Sequence, residues 1–381
     1  MTVVVPRPKA LELGASAASL LTRVFLFVLA ILVASPSRAD VVRGYLALRA
    51  GDYKTAISEY KSSALGGDQV ALESLGHAYL EFARATSRSR GDYKSIVEAG
   101  IRDLLPFAEE GKAEAEYALG NLYEFQSKDL EAARWLRRAA DREHAMAQWQ
   151  LGSMYLIGRV GSEGVDQDFY QARRLFERAA NNGEPLGMTD LGRLYANGKG
   201  VAKNYSVAIK WFERAIEKRD RGALVALGSM YETGKGVSKD KERANEFYRK
   251  AADLGDRVAA EILKDTPLAE KGDAEAQYRT GQHWLGGHGV VEDIDKALGF
   301  LEKAVDQGYV RAIHLFGYMY QKGWKVPQDF ILAHKWYNIA ASLGDEKSRI
   351  EREAVAGLMT PEQIAEAQKL AREWVASKRR R

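Results

Sequence analysis

Few residues of this chain have the types and spacing that a chemical site requires. The 381 residues include six histidines and no cysteine. Without cysteine the chain cannot form a disulfide, a thiolate metal site or a thiol nucleophile. His283 and His288 are close in sequence, but His288 falls in a predicted turn and no third ligand lies near, which favours structural or solvated histidines over a metal site. We therefore expect no metal and no cofactor.

Two turns, at 198–201 and 234–237, read Gly-Lys-Gly-Val and resemble phosphate-binding loops. A phosphate-binding loop follows a strand and continues with Gly-Lys-Ser/Thr, whereas these turns follow predicted helices and continue with valine. Carboxylate pairs such as Glu242 and Glu246 fit a solvated helix face. No serine can be paired with a base, so we expect a protein that is not an enzyme. The formal charge of +4 gives no signal for nucleic acid.

A nine-residue pattern, Ala-x-x-x-Leu-Gly-x-x-Tyr, organises the chain and is clearest at 223–231. A Gly-x-Gly-Val turn and a second pattern, Ala-x-x-Phe-Tyr-x-x-Ala-Ala, follow several of its copies. This recurrence indicates an array of helix-turn-helix repeats. The motif glycines are Gly76, Gly120, Gly152, Gly192, Gly228, Gly281 and Gly317.

The motif separates core positions from variable ones. Its Ala, Leu and Tyr fall on one row of a helix and are predicted to face the core. The row three residues before and one after each glycine lies about 160° around the helix and differs from repeat to repeat. We interpret that row as a partner-binding stripe on the concave surface of the array; the alternative is partial burial between repeats. The candidate binding residues are Tyr117, Asn121, Trp149, Ser153, Arg193, Tyr278, Gln282 and Tyr318.

The spacing of the motif predicts where the array is irregular. Neighbouring motif glycines are 36 residues apart in the basic repeat, but Gly228 and Gly281 are 53 apart. We expect a half-repeat in that interval, with a helix at 257–264 that Pro267 terminates. Longer loops are predicted at 86–92 and 159–164, where insertions cost little.

The first 39 residues have the layout of a secretory signal peptide. Basic residues precede an apolar run at 24–33, and Ser37-Arg38-Ala39 suits cleavage before Asp40. The run is too short for a membrane-spanning helix, which needs about 20 apolar residues. The predicted segments are a signal peptide (1–39), irregular helical repeats (40–110), regular repeats (111–255), a half-repeat or joint (256–271), regular repeats (272–345), C-terminal capping helices (346–377) and a disordered basic tail (378–381).

The motif, its Gly-x-Gly-Val turn and its second helix resemble the Sel1-like repeat, a relative of the tetratricopeptide repeat, over about residues 40–345. The resemblance implies a non-catalytic scaffold for protein complexes. Exported members of the family act in exopolysaccharide secretion, in periplasmic control of sensor kinases and in host contact. The cysteine pairs of the subgroup linked to β-lactam binding, and the anchor cysteine of the alginate-secretion lipoprotein, are missing here.

These observations predict an all-α solenoid with a right-handed superhelical curve, exported to the periplasm of a Gram-negative bacterium. We expect one or more cell-envelope proteins as partners, no nucleic acid, and no stable membrane anchor after cleavage. The first functional hypothesis is a scaffold or adaptor in exopolysaccharide export or envelope assembly. The second is a periplasmic regulator of a sensor kinase. A secreted hydrolase or β-lactam-binding protein is the third.

Overall fold

The computed structural model describes residues 36–88, 91–158, 166–286 and 289–379, and this part of the chain is helical throughout, without a strand. The predicted signal peptide therefore lies almost wholly outside the described residues. The chain divides into unit 1 (Met1–Glu184) and unit 2 (Pro185–Arg381). The helices of unit 1 are α1 Pro36–Arg49, α2 Tyr53–Leu65, α3 Gln69–Arg88, α4 Tyr93–Glu109, α5 Ala113–Phe125, α6 Asp129–Asp141, α7 Ala145–Ile157 and α8 Phe169–Asn181. Those of unit 2 are α9 Pro185–Asn197, α10 Tyr205–Glu217, α11 Arg221–Thr233, α12 Lys241–Asp253, α13 Arg257–Glu270, α14 Ala274–Gly286, α15 Ile294–Asp306, α16 Val310–Lys322, α17 Phe330–Ser342, α18 Glu346–Ala356 and α19 Pro361–Arg379.

In each regular repeat the first helix carries the motif and the second packs against its glycine. A Cβ built on Gly192 would lie 2.6 Å from the ring of Phe212, and one on Gly317 would lie 2.6 Å from the ring of Tyr337. Both rings are fully buried. The motif glycine therefore admits the second helix, and in these two repeats its neighbour is an aromatic residue of that helix.

The connections between repeats follow the expected backbone rules. Gly183 and Gly308 end the preceding helices with φ of 87° and 76°, in the left-handed region that glycine adopts cheaply. Glu143 occupies the same position with φ of 63°. Its carboxylate accepts hydrogen bonds from Asn182, Gln148 and Arg178, which hold the pKa of Glu143 at about 2 and anchor this strained residue.

Three segments predicted as breaks are helical instead. Helix α13 continues through Pro267 to Glu270, so the helix tolerates the loss of the one backbone hydrogen bond that Pro267 cannot donate. The predicted loop at 86–92 is partly the end of α3, which runs to Arg88. The expected disordered tail begins inside α19, where Lys378 Nζ lies 2.6 Å from Asp306 Oδ1. The predicted loop at 159–164 lies outside the described residues.

Helix α19 covers the end of the array as the sequence predicts. Thr360 and Gln363 form a reciprocal cap at the start of this helix: the Gln363 N–H donates to Thr360 Oγ1, and the Thr360 N–H donates to Gln363 Oε1. Ala367 is fully buried, and the Trp374 ring lies 5.9 Å from that of Trp336 in α17. These contacts bury the outer face of the last repeat.

Candidate partner-binding faces

The variable row of the motif helices forms a separate surface on each unit. We call the surface on α3, α5 and α7 face 1, and the surface on α9, α11, α14 and α16 face 2. Face 1 carries four of the predicted binding residues, namely Tyr117, Asn121, Trp149 and Ser153. Face 2 carries the other four, Arg193, Tyr278, Gln282 and Tyr318.

Face 1 contains an open cavity of about 660 Å³ lined by α1, α2, α3 and α5. Helices α3 and α5 place the variable row in its wall, and α1 and α2 add rings from the N-terminal side. The cavity therefore extends the predicted stripe with residues that the motif does not include. Its aromatic and polar lining includes Tyr45, Tyr53, Tyr60, His77, Tyr117 and Asn121.

Tyr117 and Asn121 lie together at the α5 side of the cavity. The Tyr117 ring stacks on His144 at a centroid distance of 4.6 Å, and His144 Nε2 lies 2.7 Å from a Glu73 oxygen. Burial raises the pKa of Tyr117, the hydrogen bond with Asn121 opposes that change, and nearby carboxylates, that of Glu73 first, raise the pKa further. Asn121 Oδ1 also accepts a bond from Gln150 at 2.7 Å. The ring is thus fixed in an acidic environment.

Trp149 and Ser153 lie one repeat further along face 1, on α7. Both are half-buried, and neither lines the cavity. Ser153 Oγ donates to the main-chain oxygen of Trp149 at 3.0 Å, so that hydroxyl already has an acceptor within its own helix. These two residues extend face 1 beyond the cavity.

The part of face 2 formed by α9 and α11 is covered by the chain's own segment 289–293, which follows α14. Val290 and Val291 of this segment are buried. The Val291 N–H donates to Ser229 Oγ at 2.8 Å, and Arg193 Nη2 donates to the Gly289 oxygen at 3.2 Å. The segment therefore occupies the surface of α9 and α11 that the variable row would otherwise present.

Glu292 ties this segment to lysines from three different turns. Lys325 Nζ lies 2.7 Å and Lys199 Nζ 3.3 Å from its carboxylate, and Lys235 Nζ donates to its main-chain oxygen at 2.6 Å. Lys235 also pairs with Asp293 at 3.0 Å. Burial alone would raise the pKa of Glu292, but Lys325 and Lys199 outweigh it and hold the pKa below its ordinary value. The segment is bound by charge as well as by its valines.

The expectation that the variable row stays open is wrong for part of face 2. Val225 and Ser229 are completely buried, and the half-buried Arg193 donates a hydrogen bond to the Gly289 oxygen. A Cβ on Gly289 would lie 3.1 Å from Val258 of α13 and 3.5 Å from Val225 of α11. The inserted helix α13 thus lies beside the segment, whereas the corresponding Gly236 of a regular turn lies against Tyr205 of α10.

The remaining predicted residues of face 2 do not meet in one site. Tyr278 lies 5.3 Å from the ring of Tyr309, and its hydroxyl accepts a bond from Gln282 at 2.9 Å. Tyr318 is 42% exposed and contacts Trp324 edge-on. Sequence reasoning missed Tyr53 and Tyr60 of the face 1 cavity, although their seven-residue spacing places them on one side of a helix.

Comparison with known proteins agrees with this geometry. The Sel1 repeat model matches residues 113–144, 145–184, 185–220, 222–256, 274–309 and 310–345, which together exceed half of the chain. The chain belongs to the Sel1 repeat family. Sel1 repeats generally mediate protein–protein interactions, and the family is generally non-catalytic. Both N-terminal helices of the face 1 cavity, α1 and α2, lie outside the matched repeats.

Three solved structures are similar to this chain. A protective antigen of uropathogenic Escherichia coli strains, which displays an SLR fold, is 25% identical over 89% of this chain and 84% of that chain, with a TM-score of 0.44. A Sel1 repeat protein from Oxalobacter formigenes is 24% identical over 70% of this chain and 96% of that chain, with a TM-score of 0.39. A Sel1 repeat protein from Klebsiella pneumoniae is 23% identical over 57% of this chain and 97% of that chain, with a TM-score of 0.37.

Within the described ranges, no helix is both long and apolar enough to cross a membrane. The same ranges contain no group of three or more histidine, aspartate or glutamate side chains arranged to hold a metal ion.

Proposed function

We propose that the protein is a non-catalytic scaffold or adaptor that holds a protein partner on face 1. The observation that carries this proposal is the contrast between an open, tyrosine-lined cavity on face 1 and the filled surface of α9 and α11 on face 2. Tyrosine rings suit a protein interface because each combines a large apolar area with a hydroxyl. Face 1 offers several such rings on helices whose packing holds them in place.

We place this activity in the cell envelope, after export. The support is the signal-peptide pattern of residues 1–39. Export would be tested by fractionating cells and sequencing the mature N-terminus, expected at Asp40. Full-length protein in the cytoplasmic fraction would overturn this part of the proposal.

The pathway we favour is exopolysaccharide export or envelope assembly, with control of a sensor kinase as the second candidate. Both rest on the family resemblance, and genomic neighbours distinguish them. A glycosyltransferase and an outer-membrane porin support the first, whereas a two-component pair supports the second. Turnover of nitrocefin or simple esters by the purified protein would instead indicate an enzyme.

The partner site is tested with a double variant of face 1. Tyr117→Ala with Trp149→Ala should strongly reduce what the protein captures in a periplasmic crosslinking pull-down, while the thermal midpoint shows that the array stays folded. The matched control, Tyr170→Ala with Trp324→Ala, removes two exposed rings outside the face 1 cavity and should leave capture unchanged. Equal capture by wild type and the face 1 variant would overturn the proposal.

A further inference from the structure

We infer that the face 1 cavity accepts a lysine or arginine side chain from an extended segment of the partner. This inference rests on the proposed function, since it specifies which chemistry that partner presents. The volume of about 660 Å³ lies within the range of about 300–1,000 Å³ typical of ligand pockets. The cavity can therefore take a whole side chain together with neighbouring main-chain atoms.

The rings of the cavity suit a cation. Tyr45, Tyr53, Tyr60 and Tyr117 all line it. Tyr53 is held by stacking on Phe82 at 5.4 Å, whereas Tyr45 is 54% exposed and available to close over a bound group. A cation within about 6 Å of a tyrosine ring is attracted to its negative face, and removal of water strengthens the attraction.

The charges around the cavity favour the same class of ligand. Glu73 and Glu81 line it, and their side chains are 42% and 34% exposed. Each has one neighbour already: Glu73 lies 2.7 Å from His144, and Glu81 lies 2.7 Å from Arg84 on its own helix. A carboxylate has two oxygens and accepts further bonds from an incoming cation.

One lining group acts against a cation. Arg49 is the single lysine or arginine among the described lining residues, and it is exposed, so water screens its charge. Beyond the lining, Glu184 and Glu124 also raise the pKa of Tyr117, which marks an excess of negative charge on the α5 side. The balance selects a basic segment over an acidic one.

A photocrosslinking selection tests the inference. The full chain carrying benzoylphenylalanine in place of His77, an exposed lining residue, is irradiated with a random heptapeptide library, and the attached peptides are sequenced. We expect lysine and arginine to be enriched about fivefold over their library frequency, the factor that about 1 kcal/mol of binding energy gives. Enrichment of acidic residues, or of none, would overturn the inference.

Isosteric variants identify the groups responsible. Glu73→Gln with Glu81→Gln should reduce the enrichment of basic residues to below about twofold, because it removes both lining carboxylates and keeps their shape. Glu98→Gln, an exposed carboxylate on α4 outside this cavity, is the control and should leave enrichment unchanged. Enrichment that survives the double variant would also contradict the inference.

The failure of this inference and the failure of the proposed function give different results. If the Tyr117 and Trp149 variant loses partner capture but the selection shows no basic preference, face 1 binds a partner of other chemistry. If capture survives that variant, the proposed function itself fails.

Discussion

Faces 1 and 2 are built from the same motif, but the variable row is open on face 1 and partly buried on face 2. On face 1 the variable row opens into a cavity that contains Tyr117 and Asn121. On face 2 the equivalent positions Val225 and Ser229 are buried beneath segment 289–293. In a repeat protein, therefore, the motif determines the packing of each helix pair, whereas the connections decide which part of the surface remains available to a partner.

The charged groups of the two faces also differ in whether they are available to a partner. Segment 289–293 supplies Glu292 and Asp293 to lysines of the turns that follow α9, α11 and α16, so those cations already have anionic partners within the chain. On face 1 the carboxylates of Glu73 and Glu81 remain partly exposed at the open cavity. The comparison predicts that face 1 binds a partner and that the bound segment of this partner is basic.

The largest effect is expected when the cover of face 2 is broken. Val290→Asp would place a carboxylate at a fully buried position, so the segment should leave the surface and unit 2 should lose about 3 kcal/mol of unfolding free energy. Val201→Asp alters the same position of the Gly-x-Gly-Val turn in another repeat, where valine is only half-buried. Urea unfolding of both variants measures these losses. Equal losses of unfolding free energy would show that segment 289–293 stabilises unit 2 no more than the turn at Val201 does.

Substitution of a motif glycine should affect the two units alike. A Cβ on Gly228 would lie 2.9 Å from the Tyr248 ring, and one on Gly120 would lie 2.7 Å from Leu136. Gly228→Val and Gly120→Val should each destabilise by about 1–3 kcal/mol through overpacking. Thermal melts of both variants are the measurement. If one variant kept the wild-type melting temperature and the other unfolded, the two units would not share this packing rule.

Thiol labelling should distinguish the faces directly, since the chain has no cysteine of its own. Val225→Cys and Glu73→Cys occupy the same motif position, but Val225 is fully buried and the Glu73 side chain is 42% exposed. We expect the face 2 thiol to react at least about tenfold more slowly with a disulfide reagent, because the covering segment must open first. Comparable rates would show that face 2 is also open.

The smallest effect concerns pH. The pKa of Glu292 is held below its unfolded value, so its contribution to stability is present above about pH 4.5 and is lost as the pH falls through the folded pKa. Wild type should therefore lose more stability than Glu292→Gln between about pH 5 and pH 3, by about 1 kcal/mol or less. Chemical unfolding at the two pH values tests this; parallel losses would contradict the role of the lysines.

The sequence predicted the parts of the structure that depend on local rules. The prediction that the motif alanines and leucines face the core follows from helical geometry and is confirmed. Helix α13 was predicted too short. The prediction ended the helix at Pro267, whereas the helix continues to Glu270 without the hydrogen bond that proline cannot donate.

Two features of the candidate faces could not be predicted in this way. Residues 289 and 290 complete the Gly-x-Gly-Val pattern of the other turns, and only the neighbouring α13 distinguishes their surroundings. The rings of Tyr45 and Tyr60 join the cavity through packing of α1 and α2, which lie outside the regular motif. Both depend on contacts between distant parts of the sequence, on which the repeat pattern has no bearing.

The central claim is that a partner binds face 1 and not face 2. Photocrosslinking in living cells tests it with two matched probes, benzoylphenylalanine in place of His77 or of Tyr318, which are both exposed and both follow a motif glycine directly. We predict a discrete protein adduct from the His77 probe and none from the Tyr318 probe. An adduct from the Tyr318 probe alone would contradict the account.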